Sequence, residues 1–148
     1  KKTDLVSILV FNIKVNLSSL DLMRSDCSSH FIRMMDDMDI HHDWIQFEIT
    51  ETVATEYNAG LGMVVDGFMA AGVRLCLDDF GSGYANLNTV MRLPFSAIKI
   101  DRTLLFDICN DKKRAMFYQS IVETFHRMGY SIVSEGVETE EEMSLLSS

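Results

Sequence analysis

The sequence predicts an α/β fold, a parallel sheet covered by helices, and three observations carry that prediction. Apolar strand-like runs alternate with amphipathic helical stretches in the order βαβαβαβαβα. Glycines stand where two of the helical stretches should close, Gly72 and Gly129. No glycine-rich phosphate loop of the GxGxxG or GxxxxGKS/T kind occurs, which turns the prediction away from dinucleotide-binding and P-loop proteins. An open doubly wound sheet and a barrel both fit this pattern.

The elements follow in order. Ser7 to Leu17 is rich in Val, Ile and Leu and predicts a buried strand. Leu22 to Met38 places Leu22, Phe31, Ile32, Met35 and Met38 near helical spacing. Ile45 to Ile49 is a second strand. Thr55 to Ala71 is a helix with Leu61, Val64, Val65 and Phe68 on one face. Val73 to Leu77 is a third strand, and Tyr84 to Met91 a short helix ended by Pro94. Ala97 to Ile100 is a fourth strand, Lys112 to Met128 a strongly amphipathic helix, and Ser131 to Val133 a fifth strand. Thr139 to Leu146 starts a last helix, with Thr139 as N-cap and acids in the first turn.

The 148 residues amount to one domain, 1–148, with no linker and no low-complexity run. Hydrophobic residues make up 47%, enough for a core. No apolar run approaches the roughly 20 residues that span a bilayer. No signal peptide is expected, because the apolar stretch after Lys1-Lys2 reads as a strand. The net charge of −9 argues against a nucleic-acid polymer as partner, since phosphate backbones are bound by Lys and Arg. Cys27, Cys76 and Cys109 are widely spaced and read as reduced cytosolic thiols, with Cys76 in the core. His30, His41, His42 and His126 form no HxxxH pair and are read as ordinary.

Chemistry gathers at the strand ends. The five strands end on Asn16, Glu48, Asp78-Asp79, Lys99 with Asp101, and Glu135. In a parallel barrel all these ends open on the face that carries the active site. Singly, each has an ordinary reading as a turn, a cap or a surface charge. Together they converge carboxylates that repel one another unless something positive lies between them. An oxygen-rich set of this kind favours Mg²⁺, Mn²⁺ or Ca²⁺. Adjacent aspartates suit a pair of ions about 3.5–4 Å apart, a known device for phosphodiester cleavage, and a lysine beside them orients water or balances charge. The loop after the aspartates, Phe80-Gly81-Ser82-Gly83-Tyr84, contains two glycines and reads either as a tight turn or as a mobile lid.

Five segments resemble, in order, the motifs of the EAL domain family. Val15-Asn16-Leu17-Ser18 is similar to its first strand end, and Phe47-Glu48-Ile49-Thr50-Glu51 to its E-I/L-T-E element. Asp78 to Tyr84 reads DDFGSGY, similar to its DDFG loop. Leu93-Pro94 with Ile98-Lys99-Ile100-Asp101 resembles its LP and KID elements, and Val133 to Thr139 its EGVET element. Ser96, Ala85 and Asn86 depart from the family pattern.

The resemblance implies a TIM-like (β/α) barrel, of which the chain would hold five or six of eight strands. It implies hydrolysis of cyclic di-GMP to linear pGpG with Mg²⁺ or Mn²⁺, two ions, Ca²⁺ being inhibitory or a substitute. Asn16, Glu48, Asp78 and Asp79 are implied metal ligands. Lys99 would hold the nucleophilic water, with Glu135 and Asp79 as further catalytic groups. Glu51 would pin the lid loop of Phe80, Gly81, Ser82, Gly83 and Tyr84, with Asp101 supporting the ligands from behind. Implied partners are cyclic di-GMP, a second copy of the complete protein, and an upstream sensor or GGDEF domain. The expected place is the cytoplasm, other domains anchoring the full-length protein where a membrane is involved. The glutamate of the family's naming motif would precede Lys1, and a barrel of about 250 residues implies a chain cut short at both ends. An alternative is a degenerate member that senses the dinucleotide or a protein without turnover. A more distant one is an enolase-like barrel, against which the EGVE segment argues.

Overall fold

A computed structural model describes residues 13–56, 59–83 and 87–146. In chain order the elements are β1 (Ile13–Asn16), α1 (Ser19–Leu22), α2 (Cys27–Asp37), β2 (Ile45–Thr50), α3 (Glu51–Thr55) and α4 (Ala59–Ala70). Then come β3 (Arg74–Phe80), α5 (Leu87–Arg92), β4 (Ala97–Ile100), α6 (Lys112–Arg127), β5 (Ser131–Ser134) and α7 (Glu140–Leu146). The strand order follows the chain, β1-β2-β3-β4-β5. The residues fall into two compact units, one from Lys1–Glu48 with Asn58–Arg74, the other from Ile49–Tyr57 with Leu75–Ser148.

In the first unit β1 and β2 pair in parallel, with Val15 opposite Phe47 and Asn16 opposite Glu48. Helix α2 brings Cys27, Phe31 and Met35, each four residues apart, onto one face. Helix α4 does the same with Leu61, Val64, Val65 and Phe68, all buried. The two helices meet over Phe47, whose ring lies 5.1 Å from Phe31 and 4.6 Å from Phe68. Full burial of aromatic rings such as Phe47 and Phe68 contributes about 2–3 kcal/mol each.

In the second unit β3, β4 and β5 pair in parallel. Leu75, Leu77, Ile98 and Ile100 are completely buried. Helix α6 lays Tyr118 and Phe125 into this core, and Phe125 meets Phe80 edge-on at 5.2 Å. Asp111 caps α6, accepting from the backbone N–H of Lys113 and Arg114. The N-terminus of α7 carries the expected cap: Thr139 Oγ1 accepts from Glu142 N, and Glu142 Oε2 accepts from Thr139 N.

Several expected elements are corrected. The helix expected over Leu22 to Met38 is two helices. Ser18 and Asp21 form a reciprocal cap that starts α1 early, and Arg24 then turns back to grip Asp26 with two 3.1 Å bonds. The helix expected over Thr55 to Ala71 is also two. It begins at Glu51, and at the end of α3 the Thr55 hydroxyl bonds back to Glu51 O. The described part of the first strand is not buried as expected: Ile13 is 47% exposed, and β1 comes first in the order of the described strands. Residues 7–12 of that strand and the start of the helix expected from Tyr84 lie outside the described residues. The third strand runs on past Leu77 to Phe80 and so takes Asp78 and Asp79 into the sheet.

Candidate metal centre

The end of β3 is irregular in a way that decides the site. Leu77 pairs with Ile98, but Phe80 pairs with Ile100. Three steps on β3 therefore match two on β4, and one residue bulges out of the ladder. Asp79 has the left-handed φ of +57° that such a bulge needs, a conformation Asp tolerates better than most residues. In a regular strand the side chains of Asp78 and Asp79 would point to opposite faces. Here carboxylate oxygens of Asp78, Asp79 and Glu135 all lie within 4.8 Å of one another. Glu135 arrives from the end of β5, where its N–H continues the ladder onto Ile100 O at 3.0 Å.

Lys99 stands among these acids. It comes from β4, is buried, and its Nζ lies 2.8 Å from Asp78 Oδ1 and 2.8 Å from Glu135 Oε1. One cation thus serves two carboxylates, and Asp79 remains. Burial pushes the Asp79 carboxyl above its usual range, the charges of Asp78, Asp101 and Glu135 push it further, and Lys99 works against them. The cluster is short of positive charge, and its donors are all hard oxygens. A divalent ion of the Mg²⁺, Mn²⁺ or Ca²⁺ type fits both facts.

The loop behind the aspartates is held from two sides. Glu51, buried at the start of α3, accepts a 2.9 Å hydrogen bond at Oε2 from the Gly81 N–H. Ser82 N–H closes a turn onto Asp79 O. Phe80 is buried in the core, Ser82 and Gly83 are exposed, and Tyr84 lies outside the described residues. Asp101 does not enter the carboxylate cluster directly. It caps the one-turn helix Arg102–Leu104, accepting from Thr103 N at 2.9 Å and Thr103 Oγ1 at 2.6 Å.

In the first unit, Asn16 and Glu48 are direct neighbours across the parallel pair. Lys14, Asn16, Gln46 and Glu48 share one face by strand alternation and register. Glu48 is 4% exposed, and Lys14 Nζ lies 3.5 Å from its Oε1.

Sequence reasoning passed over Arg102, Thr103 and Leu104, and gave Gly136 no role beyond its place in the EGVET segment. Thr103 Oγ1 lies 3.0 Å from Gly81 O, and Arg102 pairs with Glu138 at 2.6 Å. Their signal was weak, three ordinary residues after a strand; only the glycine of the EGV segment hinted at a close approach.

Comparison with known proteins assigns the chain to a family. The family profile described as "EAL domain" matches residues 4–148. The chain belongs to the EAL domain family. It is 29% identical over 134 residues to a cyclic di-GMP phosphodiesterase of Pseudomonas aeruginosa, covering 90% of this chain and 23% of that protein. It is 31% identical over 136 residues to the bifunctional diguanylate cyclase/cyclic di-GMP phosphodiesterase MucR of the same organism, covering 92% of this chain and 20% of the relative. Klebsiella pneumoniae BlrP1, solved with manganese and cyclic di-GMP, superposes with a TM-score of 0.83 at 29% identity, over 90% of this chain and 34% of that one. The fold class is the TIM-like α/β type of these EAL domains, with five parallel strands among the described residues. The chain spans about a fifth of the length of these two curated relatives.

Proposed function

We propose that the protein hydrolyses cyclic di-GMP to linear pGpG in bacterial second-messenger signalling, with Mg²⁺ or Mn²⁺ as cofactor. The observation that carries this reading is the bulge-gathered cluster of Asp78, Asp79 and Glu135 around the buried Lys99. Asp78 and Asp79 would hold the ion or ions. Asn16 and Glu48 carry hard oxygen donors and are assigned as further ligands on the strength of the family motifs. Bound divalent cations would supply neutralisation of the phosphate charge and a lowered pKa for water. Lys99, anchored by two carboxylates, donates a hydrogen bond that orients the attacking water. Glu135, 2.8 Å from the lysine, receives the water's proton. The water oxygen bonds to phosphorus, the P–O3′ bond breaks, and the leaving oxygen takes up a proton. Glu51 holds the loop that follows the aspartates through its bond to Gly81. Calcium would occupy the same oxygens with poorer turnover, since it takes larger and looser shells.

The combination of cyclase and phosphodiesterase in MucR supports reading this chain as one module beside a cyclase or sensor domain; a homodimer of the complete protein is proposed with it. The cytoplasm, where the dinucleotide is made, is the proposed location. Among the described residues no helix is long and apolar enough to cross a membrane. The test is turnover of cyclic di-GMP with Mn²⁺ or Mg²⁺, followed by chromatography of the product. The full-length protein should release pGpG, and Asp78→Asn should lower kcat by about a hundredfold to a thousandfold, the range seen when one electrostatic contact to the reacting group is lost. Tight binding of cyclic di-GMP with no product over hours would instead mark a sensor.

A further inference from the structure

The one-turn helix Arg102–Leu104 sits between the two loops that deliver the acids. On one side it meets the loop after β3. Asp101 N–H donates to Phe80 O at 3.0 Å. The Thr103 hydroxyl, with one proton for two acceptors, lies 3.0 Å from Gly81 O and 2.6 Å from Asp101 Oδ1. Leu104 fills the space beside Gly81: a Cβ there would come within 2.4 Å of Leu104 Cδ1. Gly81 also has a φ of +93°, which only glycine adopts readily.

On the other side the helix meets the loop after β5. The stem of Arg102 lies flat over Gly136, where a Cβ would come within 2.8 Å of Arg102 Cβ and 2.9 Å of its Cγ. Gly136 too has a left-handed φ, +70°. The guanidinium then reaches on to Glu138 at 2.6 Å, while the Glu138 N–H is held by Glu142 Oε2 at 2.8 Å. The salt bridge is exposed, so its charge alone is worth little. The packing of the arginine stem on a glycine is a different kind of contact and survives screening by salt.

We propose that Arg102, Thr103 and Leu104 form a positioning wedge that couples the Asp78-Asp79 loop to the Glu135 loop and thereby sets the spacing of the three carboxylates. The proposal rests on the metal-dependent reading above and deepens it. None of the three residues touches the reacting atoms. At Gly136 an added side chain would meet the root of Arg102, and at Gly81 it would displace Leu104 in a backbone conformation that already favours glycine, so each loop is packed against the wedge. A change of state at Gly81, which Glu51 also holds, is transmitted through the wedge to Gly136 and so to Glu135.

The experiment is amide hydrogen exchange on the full-length protein, paired with titration by Mn²⁺ alone. Thr103→Val removes the hydroxyl and keeps the volume. It should speed exchange at residues 81–83, which it touches, and also at 135–139, which it does not. Arg102→Ala should do the reverse, loosening 79–83 as well as 136–139. Exchange in α2 serves as the control for global loosening and should stay unchanged. Each variant should weaken Mn²⁺ binding about 10–100-fold, as loss of a supporting contact behind a metal ligand does, and Thr103→Ser should restore it. Exchange that rises only in the loop each side chain touches overturns the coupling. Unchanged Mn²⁺ affinity with both loops loosened overturns the positioning role. If the unsubstituted protein neither binds Mn²⁺ nor hydrolyses cyclic di-GMP, the metal reading falls, and the exchange pattern still decides the coupling.

Discussion

Lys14 and Lys99 each stand beside a buried acid near a strand end, yet the two neighbourhoods are built differently. Lys14 is 40% exposed and lies 3.5 Å from one oxygen of Glu48. Lys99 is 10% exposed and lies 2.8 Å from both Asp78 and Glu135. Lys14 stays solvated whether or not it pairs, although its partner Glu48 is itself buried. Lys99 and Asp78 have little water to fall back on, while Glu135, 35% exposed, keeps some. The same residue type at similar places thus keeps its hydration in the first unit and gives most of it up in the second. Burial, not the presence of an ion pair, sets its worth.

The largest expected effect tests that contrast directly. In the presence of a chelator, Lys99→Met should destabilise the second unit by about 3–5 kcal/mol, the usual cost of orphaning buried charges. Lys14→Met should cost less than Lys99→Met, because Lys14 itself keeps its water. Denaturant unfolding measures both, and similar losses would end the distinction drawn here. Adding Mn²⁺ should restore part of what Lys99→Met loses, because the ion supplies the missing positive charge.

A smaller effect isolates the bulge, for which β1 and β2 have no counterpart in their described register. Asp79→Gly and Asp79→Val both remove the carboxylate, but only valine is strained at a φ of +57°. The valine variant should be less stable than the glycine variant by about 1–2 kcal/mol. Equal melting curves would mean that the strand relaxes its extra residue without cost.

Next comes the loop tether. Glu51→Ala leaves Gly81 N–H without the acceptor it has at 2.9 Å. Turnover of cyclic di-GMP should fall about tenfold, at the low end for a supporting contact, while Mn²⁺ affinity changes less than in Asp78→Asn. A loss as large as that of Asp78→Asn would place Glu51 at the ion itself.

The smallest effect belongs to the first unit. His42 Nδ1 lies 2.9 Å from Ala71 O, and Nε2 lies 2.9 Å from Asp36 Oδ1. The carbonyl requires Nδ1–H, and the carboxylate favours a proton on Nε2 as well, so the folded protein prefers the imidazolium. The bond to the Ala71 carbonyl raises the His42 pKa, burial opposes this, and Asp36 adds to the rise. His41 and Asp43 lie on the same stretch, and Asp39 faces it across the turn. A folded-state pKa above the unfolded one means stability that is fully present below the ordinary value of 6.5 and lost as pH rises through the shifted value. The melting temperature should fall as pH rises across that window, and His42→Gln should flatten the dependence. A wild-type curve with no slope there would show that the clamp contributes nothing.

Much of the fold was readable from residue pattern. β4 and α6 fall within one residue of the positions their periodicity predicts, because an alternating or 3.6-residue apolar pattern records which face is buried. The boundaries that failed lie where side chains bond to nearby backbone. The reciprocal Ser18–Asp21 cap and the Arg24–Asp26 grip break a helix that apolar spacing alone would continue. Thr55, bonded back onto Glu51 O, ends another early. These are local polar competitions, and hydrophobic periodicity does not register them.

The sequence by itself determined that acids and one lysine gather at consecutive strand ends, since residue type and strand order are both written along the chain. It named Asn16, Glu48, Asp78, Asp79, Lys99, Asp101 and Glu135 on those grounds. Only the tertiary structure decided how Asp78 and Asp79 come to share a cluster, since adjacent strand residues diverge unless one is inserted against the neighbouring ladder, and the neighbour in question is β4, about twenty positions further on. The tertiary structure alone likewise gave Arg102 its place on Gly136 and Leu104 its place on Gly81. Such contacts join residues far apart in the chain, depend on a positive φ and a missing Cβ, and leave no period for a sequence to display.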